Sequence, residues 1–196
     1  KRIVDVLENQ IDSAFDAHEI DTFFNTYKNY QLYNLRFMAY QRDRMAMTRR
    51  HFLDKPFYYY NPAYINFFQN MWKNYIVYNH MKDMGKEIKV SIIYGKSPTM
   101  FKEAMEKYMP FRNDTLKELF LLQCLDDCFK DPETFPRAPV LQTLDSLILM
   151  TRVPEHALIA QNIKKKRTIL AQGDIAPDFV LYNQDSIPYS LSQFAG

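Results

Sequence analysis

The chain has 196 residues, of which 47% are hydrophobic and 15% aromatic, and its formal net charge is +2. This length is enough to bury one substantial core, and 14 Tyr and 15 Phe make that core rich in rings. Four Gly are few for a β-rich fold. So small a charge does not provide the basic stripe that nucleic acid requires, and no apolar run reaches the roughly 20 residues that cross a bilayer. We therefore expect no nucleic-acid partner and no transmembrane segment.

Apolar residues in the N-terminal part of the chain recur with the helical period. A first stripe runs from Ile3 to Phe15, and a long second helix is predicted to begin after Asp21. The Lys55-Pro56 step ends this second helix, because a proline disfavours helical geometry in the residue before it.

A third helix is predicted to begin at Asn61 and Pro62, which supply a cap and a first-turn proline. Gly85 is expected to end it. The segment 86–95 leaves two interpretations open, because its apolar residues alternate as in a strand but a short helical turn fits equally well.

Four more helices are predicted, and they begin near Pro98, Thr115, Pro139 and Pro154. Thr115 has capping-box spacing to Glu118. The helices are unequal in length and no fixed period recurs, so the sequence does not support a regular solenoid of equal repeats. The sequence therefore predicts an all-α fold, an irregular bundle or array of about seven helices.

Two cysteines, Cys124 and Cys128, lie four positions apart on a predicted helix. This is not the Cys-x-x-Cys spacing of a redox thiol at a helix start, and Asp126 and Asp127 would raise the pKa of a nearby thiol. Helical geometry also places the two α-carbons near the upper limit for an unstrained disulfide. Burial as two small apolar residues is the favoured interpretation, and a disulfide or a metal site is the alternative.

The four histidines, His18, His51, His80 and His156, are scattered along the chain, and none has a partner at metal-ligand spacing. The adjacent pair Glu155-His156 favours a role at a helix start over acid/base chemistry. The sequence contains no Gly-rich phosphate loop and no nucleophile motif. We therefore expect no metal, no cofactor and no catalytic residue in this chain.

The run Phe57, Tyr58, Tyr59 and Tyr60 lies in the connector between two predicted helices. Exposed rings at this place could stack on a sugar or contact a partner protein. The same rings could instead cover the ends of the adjacent helices as a satellite of the core. Both interpretations stay open, and the four residues are the candidate ligand or partner surface.

Two basic clusters lie toward predicted helix C-termini. The first includes Arg49, Arg50 and Lys55, and the second covers residues 164–167. Cations at helix C-termini are stabilised by roughly 0.3 to 1 kcal/mol each, which favours solvated helix ends at both places.

The last segment, residues 173–196, has a different pattern. Gly173 suits the end of a helix, and Pro177 prevents the helix from resuming. Apolar and polar residues then alternate on both sides of the turn-forming sequence Asn183–Ser186, which predicts a β-hairpin. Two strands alone are marginal in water and need further strands or a helix to cover their apolar face. The alternative is an ordered C-terminal arm that packs on the helices.

The pattern Gly-x-x-Ala-Pro-Asp-Phe-x-Leu from Gly173, followed by Ser-Leu-Ser-x-Phe-x-Gly at residues 190–196, resembles the opening segment of thioredoxin-like thiol-disulfide oxidoreductases of the TlpA/ResA and peroxiredoxin kind. In that family this segment precedes the strand that carries the redox Cys-x-x-Cys. The resemblance implies a helical domain at residues 1–172, and the first hairpin of a truncated thioredoxin-like domain at residues 173–196.

The helical part also resembles, less specifically, multi-domain thioredoxin-like lipoproteins of Bacteroidetes. The shared pieces are Lys-Pro-x-x-Tyr-x-Asn-Pro-x-Tyr at residues 55–64, Leu-Lys-Glu-Leu at 116–119 and Ile-Ala-x-Asn-Ile at 159–163. This likeness implies a location in the periplasm or the outer-membrane-anchored cell envelope, with an upstream lipid anchor or β domain. Since Lys1 opens a helical pattern without an initiator Met, we expect further sequence before it.

Together, these features predict a non-catalytic helical domain of a cell-envelope thiol-disulfide oxidoreductase, which orients the redox domain or selects its substrate. Its partners would be its own missing thioredoxin-like domain and envelope protein substrates. The alternative, from another class, is a free-standing envelope binding module that uses the aromatic run for glycan or peptide capture.

Overall fold

A computed structural model of the chain describes residues 2–15, 21–40, 42–108, 113–169 and 177–194. In these ranges the fold is mostly helical, as predicted, with one antiparallel two-stranded hairpin near the C-terminus. No helix of the described ranges combines the length and apolar character that crossing a membrane requires. The α-helices are α1 (Arg2–Ala14), α2 (Thr22–Ala39), α3 (Arg44–His51), α4 (Pro62–Trp72), α5 (Tyr75–Asn79), α6 (Asp83–Val90), α7 (Pro98–Tyr108), α8 (Asp114–Cys128), α9 (Arg137–Met150) and α10 (Pro154–Thr168).

Helix α8 lies at the centre of the helical body. It packs against α4, α5, α7, α9 and α10, and buried side chains occur all around it, as expected of a helix enclosed by others. Phe120 in its middle is fully buried. The centroid of its ring lies 4.6 Å from that of Trp72, 5.7 Å from that of Tyr75 and 5.9 Å from that of Phe101.

A second group of rings joins α2 to α4. The Tyr30 ring centroid lies 4.9 Å from that of Tyr64 and 6.0 Å from that of Phe52. The Tyr30 hydroxyl donates a hydrogen bond of 2.9 Å to the backbone oxygen of His51, so the buried phenol has a partner. These contacts agree with the ring-rich core that the composition predicts.

The long helix predicted after Asp21 is divided in two. Helix α2 ends at Ala39 and α3 begins at Arg44, because Asp43 caps the second helix. The Asp43 carboxylate accepts a hydrogen bond of 3.0 Å from the backbone N–H of Ala46, which satisfies a donor that a helix start would otherwise leave unpaired.

The predicted third helix is also divided. Helix α4 ends at Trp72, and Asn74 then adopts a left-handed backbone conformation with φ of 57°. Its N–H donates a 2.6 Å hydrogen bond to Oδ2 of Asp127 in α8, and α5 begins at the next residue. These two breaks, together with the helix α6, give ten α-helices in the described ranges where about seven are predicted.

Gly85 does not end a helix but lies inside α6. A Cβ atom at this position would stand 1.8 Å from the backbone oxygen of Asn79 at the end of α5, so only glycine permits this close approach. The following residues continue as helix to Val90 and then form a π-helical turn over Ser91–Gly95. The strand interpretation of segment 86–95 is therefore wrong, and the helical one is confirmed.

The C-terminal hairpin consists of β1 (Val180–Tyr182) and β2 (Pro188–Ser190), followed by a 3-10 turn over Leu191–Phe194. Asn183 closes the hairpin, because its side-chain oxygen accepts hydrogen bonds from the N–H groups of Asp185 at 2.9 Å and Ile187 at 2.8 Å. The predicted hairpin is confirmed.

Candidate functional site

The aromatic loop, residues 57–60, connects α3 to α4. The rings of Phe57 and Tyr59 stack with centroids 5.7 Å apart and planes inclined by 15°. Both are half-buried. Tyr60 extends into solvent with 85% of its surface exposed, so it is free to contact a ligand.

Tyr58 turns toward the rings between α2 and α4. It packs edge-on against Tyr30 and Tyr64, with centroid distances of 6.1 Å and 5.8 Å, and edge-to-face contacts of this kind favour aromatic pairs. Three rings of the loop therefore pack against the helical body, as the satellite-core interpretation expects. Tyr60 keeps the capture interpretation open.

The exit of the loop is fixed by Asn61. This residue is buried, and its side-chain oxygen accepts hydrogen bonds from the N–H groups of Ala63 at 3.1 Å and Tyr64 at 3.3 Å. Pro62 occupies the first helical position of α4. The predicted cap and first-turn proline are confirmed, and they orient the loop relative to α4.

Tyr59 joins the loop to a buried polar network. Its hydroxyl lies 2.8 Å from Nε2 of His156, and Nδ1 of the same imidazole lies 3.0 Å from Oε2 of Glu118. Lys102 donates to Glu118 Oε1 at 2.8 Å, and the Thr151 hydroxyl donates to Oε2 at 2.6 Å. A single carboxylate on α8 thus connects α7, α10, the α9–α10 connector and, through His156, the aromatic loop.

The charges of this network favour a structural link over chemistry. Burial by itself would raise the pKa of the Glu118 carboxyl, but the hydrogen bonds that it accepts outweigh burial and lower the pKa to about 2. Burial raises the pKa of the Tyr59 phenol, and nearby carboxylates raise it further. The phenol therefore stays protonated and can donate to His156, and a protonated phenol is a weak nucleophile and a weak base.

The sequence places two members of this network in other roles. Glu118 has capping-box spacing from Thr115, but Asn113 caps α8, where its side-chain oxygen accepts from the N–H of Leu116 at 3.2 Å. His156 is expected only at a helix start. The available signal is a carboxylate directly before the apolar run at residues 119–122, because a carboxylate buried beside such a run requires a partner. That partner lies 38 positions away, beyond the reach of local spacing.

The Tyr59 ring forms part of the wall of two grooves. One has a volume of about 300 Å³ and lies between the aromatic loop and the start of α2. The other, of about 240 Å³, lies between α4, α8 and α10 and is lined mainly by apolar side chains, Ile65, Phe68, Leu119, Leu122, Ile159 and Ile163. Pockets for drug-sized ligands occupy about 300 to 1,000 Å³, so each groove suits one small group.

Cys124 and Cys128 are free and buried in α8. Burial raises the pKa of both thiols well above the ordinary value, and neighbouring groups, among them the Asp127 carboxylate, raise it further. Because the thiolate is the reactive form, neither cysteine is poised for redox chemistry. Their environment agrees with the favoured interpretation as two small apolar residues.

The histidines do not converge. His51 lies against the ring of Tyr33, His80 Nδ1 lies 2.8 Å from the backbone oxygen of Val77, and His18 is outside the described residues. Within the described ranges, no group of three His, Cys, Asp or Glu side chains could hold a metal ion.

The C-terminal hairpin leaves its apolar side chains uncovered. Leu181 is 63% exposed, and its neighbours in the strand alternate between the two faces. Among the described residues, the two hairpin strands make extensive contacts with each other, and β2 also contacts the 3-10 turn. The exposed apolar residues of the hairpin are Phe179, Val180, Leu181, Tyr182, Ile187 and Tyr189. Large exposed apolar surfaces on proteins mark interaction sites.

Comparisons with known proteins give no relative of this chain. No family model, no curated protein and no solved structure matches it. The likeness to thioredoxin-like oxidoreductases therefore rests on the sequence motifs, and it stays a prediction.

Proposed function

We propose that residues 1–172 are a non-catalytic helical domain of a cell-envelope thiol-disulfide oxidoreductase, and that residues 173–196 begin its thioredoxin-like domain. The observation that carries this proposal is the uncovered hairpin. Two strands with apolar residues exposed on both faces need further strands or a helix to be stable. Phe179 and Leu181, the apolar positions of the Ala-Pro-Asp-Phe-x-Leu motif, are among the exposed residues.

The helical body suits an orienting role. Its two cysteines are buried with raised pKa values, so the redox thiols must come from another domain. Its central helix contacts five others, and the Glu118 network fixes the aromatic loop. A body held in this way can present an attached domain in one orientation and can restrict which substrates reach it.

The chemistry of the complete protein follows from thiol-disulfide exchange. The first thiolate of a Cys-x-x-Cys pair attacks a substrate disulfide, forms a mixed disulfide and releases one substrate thiolate. The second cysteine, as its thiolate, then attacks the mixed disulfide and releases the other substrate thiolate. The substrate is reduced and the Cys-x-x-Cys pair becomes oxidised.

Insulin reduction by dithiothreitol tests this proposal. The complete gene product should accelerate the reaction, and residues 1–196 alone should not exceed the rate with dithiothreitol only. The complete protein with Cys124→Ser and Cys128→Ser is the control, and it should keep its activity because these thiols are not the redox pair. Turnover by residues 1–196 alone, or a gene without Cys-x-x-Cys after residue 196, would contradict the proposal.

A second candidate function is ligand capture by the aromatic loop, favoured by the 85% exposure of Tyr60 and the groove beside it. Binding of residues 1–196 to a glycan array and to a peptide array tests it. Tyr60→Ala should then weaken binding to a captured ligand about tenfold or more without changing stability. If a ligand binds the wild-type chain and Tyr60→Ala equally well, Tyr60 is not part of the capture surface.

A further inference from the structure

A third cleft, which shares Thr26 and Tyr58 with the groove beside the aromatic loop, combines positive charge with aromatic rings. Its volume is about 270 Å³, and it is formed by α2, the end of α3 and the connector that follows. Its principal walls are Tyr30, Tyr33, Tyr58, Arg50, His51 and Lys55.

No described acidic residue pairs with the two cations of this cleft. Neither the Arg50 guanidinium nor the Lys55 ammonium forms an ion pair with a described residue, and no described Asp or Glu lines the cleft. Burial, and after it the charges of Arg50, Arg36 and Lys55, lower the pKa of His51 to about 4. His51 is therefore neutral at pH 7, and the charged side chains among the described residues that line the cleft are both positive.

The rings of the cleft are held in place by packing. The Tyr33 ring centroid lies 3.9 Å from that of His51, and Tyr58 is held edge-on by Tyr30 and Tyr64. The Tyr30 hydroxyl already donates a hydrogen bond to the His51 backbone oxygen. The Tyr33 and Tyr58 hydroxyls form no hydrogen bond with the described residues, so they are available to a ligand without reorganisation of the walls.

The helix dipole does not explain this arrangement. Arg49 and Arg50 both lie in the last turn of α3, where either one would interact favourably with the dipole. Of these two arginines, only Arg50 lines the cleft. Lys55 lies beyond the end of α3 and also lines it. The helix dipole therefore does not account for the presence of both cations at the cleft.

We propose that this cleft binds an acidic monosaccharide, with the carboxylate between Arg50 and Lys55 and the sugar ring against Tyr58. A carboxylate is the natural ligand of an unpaired Arg and Lys, and an aromatic ring provides an apolar wall for a sugar face. Thr26 and Asn29 also line the cleft and offer partners for sugar hydroxyls. Its volume, below the range of about 300 to 1,000 Å³ for drug-sized ligands, suits a single ring. This inference does not depend on the proposed oxidoreductase role, and it refines the second candidate function, capture by the aromatic loop, by naming the class of ligand.

Calorimetric titration of residues 1–196 with glucuronate tests the proposal, with glucose, inorganic phosphate and benzoate as comparison ligands. Glucuronate should bind, and glucose should bind at least about tenfold more weakly because it lacks the charge. Arg50→Gln and Lys55→Gln should each weaken glucuronate binding at least about tenfold. The matched control Arg49→Gln removes the same charge from the same helical turn and should leave binding unchanged.

The role of the ring is tested by Tyr58→Leu, which should weaken glucuronate binding, with circular dichroism as the check on folding. Four results would each overturn the proposal. Phosphate that binds as tightly as glucuronate would show a cationic patch alone, and tighter benzoate would show an aromatic acid site. Equal losses in Arg49→Gln and Arg50→Gln, or no glucuronate binding at all, would show that the cleft does not recognise the sugar.

Discussion

The helical body and the C-terminal hairpin differ in what they do with apolar side chains. In the body, α8 is enclosed by five other helices and Phe120 is fully buried. In the hairpin, both strands are correctly paired and their turn is closed by Asn183, but Leu181 and its neighbours remain exposed. Both regions therefore have the backbone pairing of their secondary structure, whereas only the helical body encloses a buried core.

This difference shows that local sequence can specify an element without stabilising it. Removing apolar surface from water contributes roughly 25 cal/mol per Å² to the free energy of folding. The buried core of the helical body gains this stabilisation, whereas the exposed side chains of the hairpin do not. We infer that the stability of the body is its own and that the hairpin depends on structure that packs against it. The following four predictions test this contrast.

The largest effect is expected for Phe120→Ala in α8. The substitution removes a ring that contacts Trp72, Tyr75 and Phe101, and loss of a buried Phe typically costs about 3 to 5 kcal/mol. Urea unfolding followed by circular dichroism measures the free energy. Phe23→Ala is the control, because this ring on α2 is 53% exposed. A loss below about 1 kcal/mol for Phe120→Ala would mean that α8 is not the centre of the core.

The next effect is expected for Gly85→Ala in α6. The new Cβ would stand 1.8 Å from the backbone oxygen of Asn79, so α5 and α6 must separate, and overpacking of this kind costs about 1 to 3 kcal/mol or more. Urea unfolding followed by circular dichroism again measures the free energy of unfolding. The control is Gly95→Ala, whose Cβ would meet only the flexible Met100 side chain, at 2.5 Å from its sulfur. Equal losses in the two variants would contradict the close approach at Gly85.

Local signals predict the ends of the helices well where the partner is also local. Asn61 and Pro62 start α4 through groups one to three residues away, and the turn at Asn183 is read from its own sequence. The break at Asn74 is different, because its left-handed backbone is supported by Asp127 in another helix. No pattern within the predicted third helix contains that partner, so the break could not be anticipated.

The same limit applies to the candidate site, where local sequence predicts the position of the loop but not its distant contacts. The position of the aromatic loop follows from the prolines and the ring-rich sequence, but which rings turn inward depends on Tyr30 and His156, which are distant in sequence. The α1 stripe shows the same limit, since Ile3 has core-like spacing and is 76% exposed, whereas Val4 and Glu8 are buried. Periodicity identifies a helix, and tertiary contacts select its buried face.

A third, smaller effect is expected from Glu118→Gln in the polar network. The folded pKa of Glu118 is lowered from 4.5 to about 2, so this carboxylate stabilises the fold above pH 4.5 and loses that contribution as the pH falls toward 2. At pH 7 the variant should lose about 1.5 to 3 kcal/mol, because it removes hydrogen bonds to a charged group. Urea unfolding across this pH window should show a shallower decline for the variant.

The exposed residue Glu103 on α7 provides the control for this measurement. Glu103→Gln should change the unfolding free energy by no more than about 0.5 kcal/mol and should keep the acid dependence of the wild type. If Glu118→Gln declines as steeply as the wild type between pH 4.5 and 2, the Glu118 network does not contribute to the acid sensitivity of the body.

The smallest effect is expected for Leu181→Ala in the hairpin, measured on residues 1–196. Because Leu181 is 63% exposed, the unfolding free energy of the body should change by less than about 0.5 kcal/mol. The same substitution at the buried Leu125 of α8 should cost about 2 to 5 kcal/mol. In the complete gene product, Leu181→Ala should become destabilising, because the proposed domain would cover this side chain. A loss above about 1 kcal/mol already in residues 1–196 would instead mean that the hairpin packs on the helices, and the proposed second domain would lose its structural support.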